Sequence, residues 1–488
     1  MKKLKIGWAQ ASITPTRPVV VIGQMYHRES EYVRDPILAT ALALDDAQTH
    51  AVIVSLDMTE YPIHIEQKLR QRLRDVEGLC FENISIGVTH THNSSDFYSD
   101  FMREDNERVF GADRLPQITP KQDLLDGEAA QDFLAERLAD VITRAWEGRR
   151  FGGVAAAHEY AAIAFNRRPV FQRGEEHATV MYGDCSRADF VRFENGADTS
   201  VELLYTFDER GEVTGVAVNV PCPSQVFELH RFVSADYWCY ARAAIRERLG
   251  NVHILPLCGA AGDLAPLDLV RISKDNRQAL LDWGAQAGEV FRNFDMTREC
   301  EQIGWRICDA VMRGYRVARN YIEYTPEFRH ATLRMELPLR MVSPEEYEAS
   351  AQQIERIRER FSSSNRMTMQ DVVAAFDAQG DVLRWELQQT TQVYAFKCHV
   401  LRIGRVALAT NPFELYHEFA LRMKARVKAE QLFVVQLSNG LGGYLPTELA
   451  IAGGSYSSKA ASTTCGPDGG NTLVEKTIAA VDALFEDA

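Results

Sequence analysis

Apolar residues are spaced along this chain in two rhythms. Short continuous runs at 51–56, 84–92, 201–207, 213–220, 252–257, 406–410 and 433–437 predict strands buried on one or both faces. Between them, apolar positions three and four apart at 63–76, 129–146, 234–249, 302–319 and 415–427 carry the period of an amphipathic helix. Ser234 or Asp236 stands near the start of the third of these, where a side-chain oxygen can cap free N–H groups. Asp208-Glu209-Arg210-Gly211 separates two runs and predicts a hairpin. Strand and helix signals in alternation predict an α/β fold, a mixed β-sheet core flanked by helices.

Two stretches break the rhythm. Residues 96–128 are polar, with Pro116 and Pro120, and read as a long loop over a site. Residues 343–391 are charged and helix-prone, with a break at Ser362-Ser363-Ser364-Asn365. They predict a helical hairpin inserted in the domain, because strand signals resume at Val400. No Gly/Ser/Pro linker divides the chain and no internal repeat is evident, so 1–488 is expected to be a single catalytic domain.

Composition narrows the class. With 46% hydrophobic and 25% charged residues the chain matches soluble globular proteins. A net charge of −14 argues against nucleic acid or an anionic membrane surface as the main partner. The basic N-terminus lacks a long apolar core, and no run of about twenty apolar residues occurs, so neither a secretory signal nor membrane insertion is expected. Nine scattered cysteines without a CxxC pair suit reduced thiols better than a disulfide framework. The expectation is a cytoplasmic protein, of bacterial type, acting on a small-molecule substrate, with a homo-oligomer left open.

The candidate chemistry sits where apolar runs end. Ile84, Ile86 and Val88 share parity with His90 and His92, so in a continuous strand both imidazoles would point to one face. Neutral imidazole is the commonest protein ligand for zinc, and packed or surface histidines are the alternative. Glu414 follows the run 406–410 near an expected helix start, where its ionised form is favoured and suits a third ligand, a plain helix-start glutamate being the alternative. His417 lies one helical turn on and is a candidate to support it, or a surface histidine. Three glycines around Leu441 let Tyr444 be aimed inward, as a ligand, an oxyanion donor or a core residue. The turn Gly259-Ala260-Ala261-Gly262 lacks the P-loop lysine and presents Asp263. Pro221 and Pro223 hold Cys222 in a rigid turn, where a buried inert thiol is the commoner outcome. Of Arg167 and Arg168, one is expected to clamp an anionic substrate or intermediate and the other to form structural ion pairs.

Taken in order, Thr89-His90-Thr91-His92, Asn166-Arg167, Ser234-Ala235-Asp236-Tyr237, Gly262-Asp263-Leu264-Ala265-Pro266, Asn411-Pro412-Phe413-Glu414 and Gly443-Tyr444-Leu445-Pro446-Thr447 resemble the catalytic domain of the neutral/alkaline non-lysosomal ceramidases. The resemblance implies a Zn2+-dependent amidase site. It makes His90, Glu414 and Tyr444 metal ligands and places His92, Arg167 and, more weakly, Tyr456 beside the substrate carbonyl. Two departures stand out. The family's motif serine is Ala265 here, and its second histidine ligand falls in Pro221-Cys222-Pro223-Ser224, so Cys222, or alternatively His230, would have to replace it. The family's C-terminal β-rich domain is expected to be absent. The resulting expectation is a zinc hydrolase using metal-activated water on a small polar substrate, sugar-derived among the candidates, through an amide, ester or glycoside bond. His92 would relay the proton, and Asp263 would orient its turn. The alternatives are a ceramidase-type N-acyl amidase and a non-catalytic ligand-binding relative.

Overall fold

The computed structural model describes residues 3–95, 97, 107, 109–110, 123–275, 295–363 and 369–486. Its main elements fall into three successive units of one plan. Each has three antiparallel strands, a crossover helix, a fourth strand parallel to the third, and a closing helix. The first unit is β1 (Lys5–Ser12), β2 (Leu38–Asp45), β3 (His50–Leu56), α1 (Glu66–Leu73), β4 (Ile84–Val88) and α2 (Gly127–Glu147). The second is β5 (Arg150–Tyr160), β6 (Ser200–Asp208), β7 (Val213–Val220), α3 (Tyr237–Leu249), β8 (His253–Cys258) and α4 (Thr297–Ala318). The third opens with β9 (Phe328–Pro338) and then carries the inserted helices α5 (Pro344–Ser363) and α6 (Met369–Gln388). It continues through β10 (Val393–Ile403), β11 (Val406–Thr410), α7 (His417–Arg426), β12 (Gln431–Val435) and α8 (Pro467–Leu484).

Pairing of β1 with β5 through Lys5↔Phe151 and Ile6↔Arg150 joins two units into one eight-stranded sheet, ordered β8-β7-β6-β5-β1-β2-β3-β4. The third unit forms its own sheet, β9-β10-β11-β12. Inner faces of both sheets meet in one core that includes Leu42, Ile53, Leu204, Leu255, Leu401 and Phe433. Helices seal the outer faces. Leu134, Leu138, Val141 and Ile142 of α2 and Ile303, Ile307 and Val311 of α4 recur at helical spacing and pack on the larger sheet. Phe419 and Met423 of α7 and Leu473 and Val474 of α8 do the same for the smaller one. Asp236 caps α3 by accepting from Tyr237 N, as its position predicts.

Because the third and fourth strands of each unit are parallel, their carboxyl ends lie side by side, and the first strand ends there too. At this end the inner faces turn polar at one level. Gln10, Thr40 and Ser55 stand in register across the first unit, and His158, Glu202 and Asn219 across the second. Thr332 pairs with His399 in the third. Asn219 Nδ2 donates to Leu257 O and Val434 O, tying the second unit to the third. Each unit also carries its large insertion at one place, between its first and second strands. These are residues 13–37, residues 161–199 with a three-stranded sheet, and residues 339–392 with the α5–α6 pair.

The expected mixed α/β architecture and inserted helical hairpin are present, with three local differences. The strand expected over 84–92 stops at Val88, because His90 adopts φ 60° and leaves the ladder. The helix expected from 415 begins at His417, which leaves Glu414–Leu415 as a short strand paired with Tyr444–Leu445. The helix expected over 63–76 is a 3-10 turn, Ile63–Ile65, followed by α1. Most of the expected 96–128 loop lies outside the described residues. Among the described residues, no helix is long and apolar enough to cross a membrane.

Candidate active site

Strand ends of all three units supply the site. Beyond β4, Thr89 N donates to Leu56 O, and Thr91 N donates to Met58 O. The left-handed backbone at His90 turns the chain between these two bonds. The two histidines thus converge through a turn, and the row of alternating strand positions expected from the sequence does not extend to them. His90 is buried, with Nδ1 2.6 Å from Thr59 O. That carbonyl can only accept, so Nδ1 carries the proton and Nε2 presents a lone pair when the ring is neutral. His90 Nε2 lies 3.4 Å from Glu414 Oε2 and 3.2 Å from His92 Nε2.

Glu414 is fixed by its backbone, whose N–H donates to Gly443 O beside the Glu414↔Tyr444 bridge. Burial pushes its carboxyl up, but His90, Arg167 and a hydrogen bond from Tyr444 outweigh burial and hold it below the usual range. For His90, burial pulls the pKa down and Glu414 more than restores it, so the net shift is upward. Glu60, which the sequence analysis did not single out, is enclosed in the field of both. Burial raises its carboxyl, with His90 opposing and Glu414 adding.

Arg167 enters from the insertion of the second unit and is buried. Its Nη2 donates to Gly262 O at 2.7 Å and to the Tyr444 hydroxyl at 3.1 Å, and its Nη1 donates to the Tyr182 hydroxyl at 3.1 Å. Asp263 stands behind it. Its Oδ2 accepts from His417 Nδ1 at 2.7 Å and from Asn166 Nδ2 at 3.3 Å, while Oδ1 accepts from His417 N at 3.0 Å. Burial raises the Asp263 carboxyl, but His417 overrides this and sets it below the ordinary value. Asp263 thus orients its turn and also locks the Asn166-Arg167 segment to the start of α7. His417 is buried, and no surface residue. Arg168 takes the structural role expected of one arginine of the pair, binding Glu194 Oε1, Ala450 O, Gly454 O and Tyr456 O. Tyr456 lies against Tyr444 with ring centroids 5.5 Å apart, and Phe376 of the inserted α6 covers its other side at 6.1 Å.

His92 is enclosed by groups the sequence did not reveal. Gln225 Nε2 lies 2.7 Å from its Nε2, and Glu228 Oε2 lies 3.3 Å from its Nδ1. Burial, with His90 and Arg28 adding to it, holds its pKa well below the usual value.

Two expected ligands are elsewhere. Cys222 is buried with Sγ directed at Ile163 O and Pro223 O, and burial pushes its thiol well up, against thiolate formation. Its side chain is part of the core of the larger sheet. His230 packs its ring between Phe227 and Phe232, with centroids 6.0 and 5.0 Å away. Zinc needs three or four donors closing on one point at about 2.0–2.3 Å. His90 is paired with Glu414 and with His92, yet among the described residues no group of three His, Cys, Asp or Glu side chains is placed to hold an ion. Among the described residues, no third His, Cys, Asp or Glu side chain completes the His90–Glu414 pair as it stands.

No protein-family model matches the chain, and no curated protein matches it. Solved structures do. A ceramidase complexed with C2 superposes with a TM-score of 0.66 at 15% identity, over 99% of this chain and 76% of that chain. Neutral ceramidase from Pseudomonas aeruginosa gives a TM-score of 0.66 at 16% identity, over 99% of this chain and 75% of that one. Likeness at this identity is one of architecture: the chain has the ceramidase-like fold.

Proposed function

We propose that this protein is a hydrolase acting on a small polar substrate, sugar-derived among the candidates, at an amide, ester or glycoside bond. One observation carries the reading. His90, His92, Glu414, Arg167 and Tyr444, from segments spread over more than three hundred residues, converge at the strand ends of a ceramidase-like fold. In this mechanism His92 carries the proton from attacking water to the leaving group. Glu414 stays ionised and holds His90. Arg167 is the donor available to an oxyanion, fixed beforehand by Gly262 O and the Tyr182 hydroxyl, while the Tyr444 hydroxyl donates to Glu414. Asp263 and His417 keep Arg167 and Glu414 in place. No step runs through a metal ion.

The test is turnover of N-acyl amino sugars, acyl esters, aryl glycosides and long-chain ceramide by the purified protein. Hydrolysis of one polar class, lowered roughly 10²–10⁴-fold in His92→Gln, is the expected result. Preference for ceramide would support an N-acyl amidase instead. Ligand binding without turnover would make the protein a non-catalytic relative. Metal analysis after purification without chelators decides the zinc question. Near-stoichiometric zinc, lost in a His90→Ala/Glu414→Ala variant, would show that ligands close around an ion after all.

A further inference from the structure

Two aromatic rings stand side by side next to the candidate site, and each is put there by a device of its own. Tyr456 lies between residues with left-handed backbone, Ser455 at φ 75° and Ser457 at φ 66°, a conformation that serine adopts only at a cost. Arg168 holds this turn by donating to Gly454 O at 2.7 Å and to Tyr456 O at 2.9 Å, and Ser457 Oγ lies 2.8 Å from the Tyr416 hydroxyl. The tyrosine ring is thereby set edge-on to Tyr444, in the field of Glu414, Arg167 and Glu60. Phe376 comes from α6. A Cβ on Gly380, one helical turn further on, would lie 2.6 Å from Ala461 Cα, so the helix comes into backbone contact with the turn at 460–462. The Asp377–Lys459 ion pair fastens the same approach. Phe376 thus meets Tyr456 with planes 51° apart, a tilted pair instead of a closed stack, and both rings are partly exposed.

An acid lies close to them. Glu60 follows β3, next to the Thr59 whose carbonyl holds His90, and is also partly exposed. His90 and Glu414 act on its carboxyl group through space, and among the described residues no hydrogen bond or ion pair takes up its oxygens. Those oxygens accept in either protonation state, so they call for hydrogen-bond donors on whatever enters. The two rings call for flat C–H surface. An acyl chain would satisfy the rings and leave the acid covered without a partner, which is costly. A pyranose satisfies both, with C–H groups on its faces and hydroxyls around its edge.

We propose that Phe376, Tyr456 and Glu60 form a subsite for a pyranose ring, the aromatic rings packing on its C–H face and Glu60 accepting from its hydroxyls. This rests on the hydrolase reading and narrows its substrate to a sugar-derived amide, ester or glycoside. Phe376 and Glu60 act in it as specificity residues and take no part in bond breaking. The inserted helical pair thereby gains a task in the site, since it carries one wall of the ring's seat.

Saturation-transfer NMR on the full-length protein as purified, with N-acetylglucosamine and N-octanoylethanolamine as probes, tests this without turnover. The sugar should bind, and its ring C–H protons should take up more saturation than its acetyl methyl group. Phe376→Leu, which keeps apolar volume on α6 but no aromatic face, should weaken sugar binding about 3–10-fold, and Phe376→Tyr should restore it. Glu60→Ala should weaken it roughly 10-fold. Absence of sugar binding, preference for the octanoyl probe, or a sugar affinity unchanged by either substitution would overturn the subsite. Should Phe376→Leu not fold, the saturation pattern of the unmodified protein and Glu60→Ala still decide it. Sugar binding that follows these changes while no substrate is hydrolysed would defeat the hydrolase reading alone and leave the subsite standing.

Discussion

The loops that follow β4 and β8 begin with the same backbone bond and then diverge. Thr89 N donates to Leu56 O in the first unit, and Gly259 N to Val220 O in the second, each reaching across to the end of the neighbouring strand. The first loop continues as Thr-His-Thr-His and delivers two imidazoles. The second continues as Ala-Ala-Gly-Asp and delivers mainly space. A Cβ on Gly262 would lie 2.3 Å from Glu414 O, and one on Gly259 would lie 2.9 Å from Pro221 N. One unit thus presents reactive groups, while its counterpart recedes so that Glu414 and Arg167 can approach. Its only large contribution, Asp263, faces away toward His417.

That division of labour can be broken at its buried anchor first. Asp263→Ala leaves the His417 ring without its acid and Asn166 with Gly196 O as its remaining side-chain acceptor, and should cost about 3–5 kcal/mol in urea unfolding. A loss below about 1 kcal/mol would mean that the segments are held by other contacts. Gly262→Ala tests the space directly. Overpacking against a backbone carbonyl should cost about 2–3 kcal/mol, with activity falling further than in Ala261→Gly.

The third unit sharpens the contrast through histidines that have no acid beside them. His330 Nε2 faces His399 Nδ1 at 3.0 Å, and burial lowers both, His330 to about 4 and His399 well below its usual value. Their folded forms therefore bind fewer protons than the unfolded chain below about pH 6.5, so stability falls as pH drops from there toward 4. Each should contribute a slope of about 1.4 kcal/mol per pH unit. His417 works in the opposite sense. Burial lowers its pKa, Asp263 raises it further, and its contribution is present below about pH 6.5 and lost as pH rises through the folded value. Urea midpoints between pH 4 and 8 should show a shallower acid limb in His330→Phe, and an unchanged limb would refute the assignment. The smallest effect is expected from Phe376→Ala. Removing its contact with Tyr456 should cost about 1 kcal/mol and alter turnover more than stability.

Strand and helix alternation was legible because periodicity records burial on one face or two, and α2 and α4 keep that record along their whole length. Convergence of His90, Glu414, Arg167 and Tyr444 was legible only through the ordered resemblance of short motifs. Parity along a strand pointed to the same histidines for a reason the φ of His90 removes. Gln225 and Glu228 left no trace, since their partner lies more than one hundred and thirty residues away and their own loop has no period. Cys222 shows that a rigid turn fixes a side chain without saying which way it faces. The threefold plan stayed hidden because the units share strand order and register, while their insertions differ in kind: an irregular loop, a small sheet and a helical pair.

Those insertions leave and rejoin the scaffold at paired neighbours, Ser12↔Leu38, Tyr160↔Ser200 and Pro338↔Val393. A loop whose ends are already pinned side by side grows at little entropic cost, about 0.6 kcal/mol for each doubling. The walls they build, with Gly23 in the first and Phe376 in the third, can lengthen without disturbing the strands beneath, whereas the second also carries Arg167 of the candidate site. Length and composition of these walls can therefore change one unit at a time, leaving the register of the strands as it is.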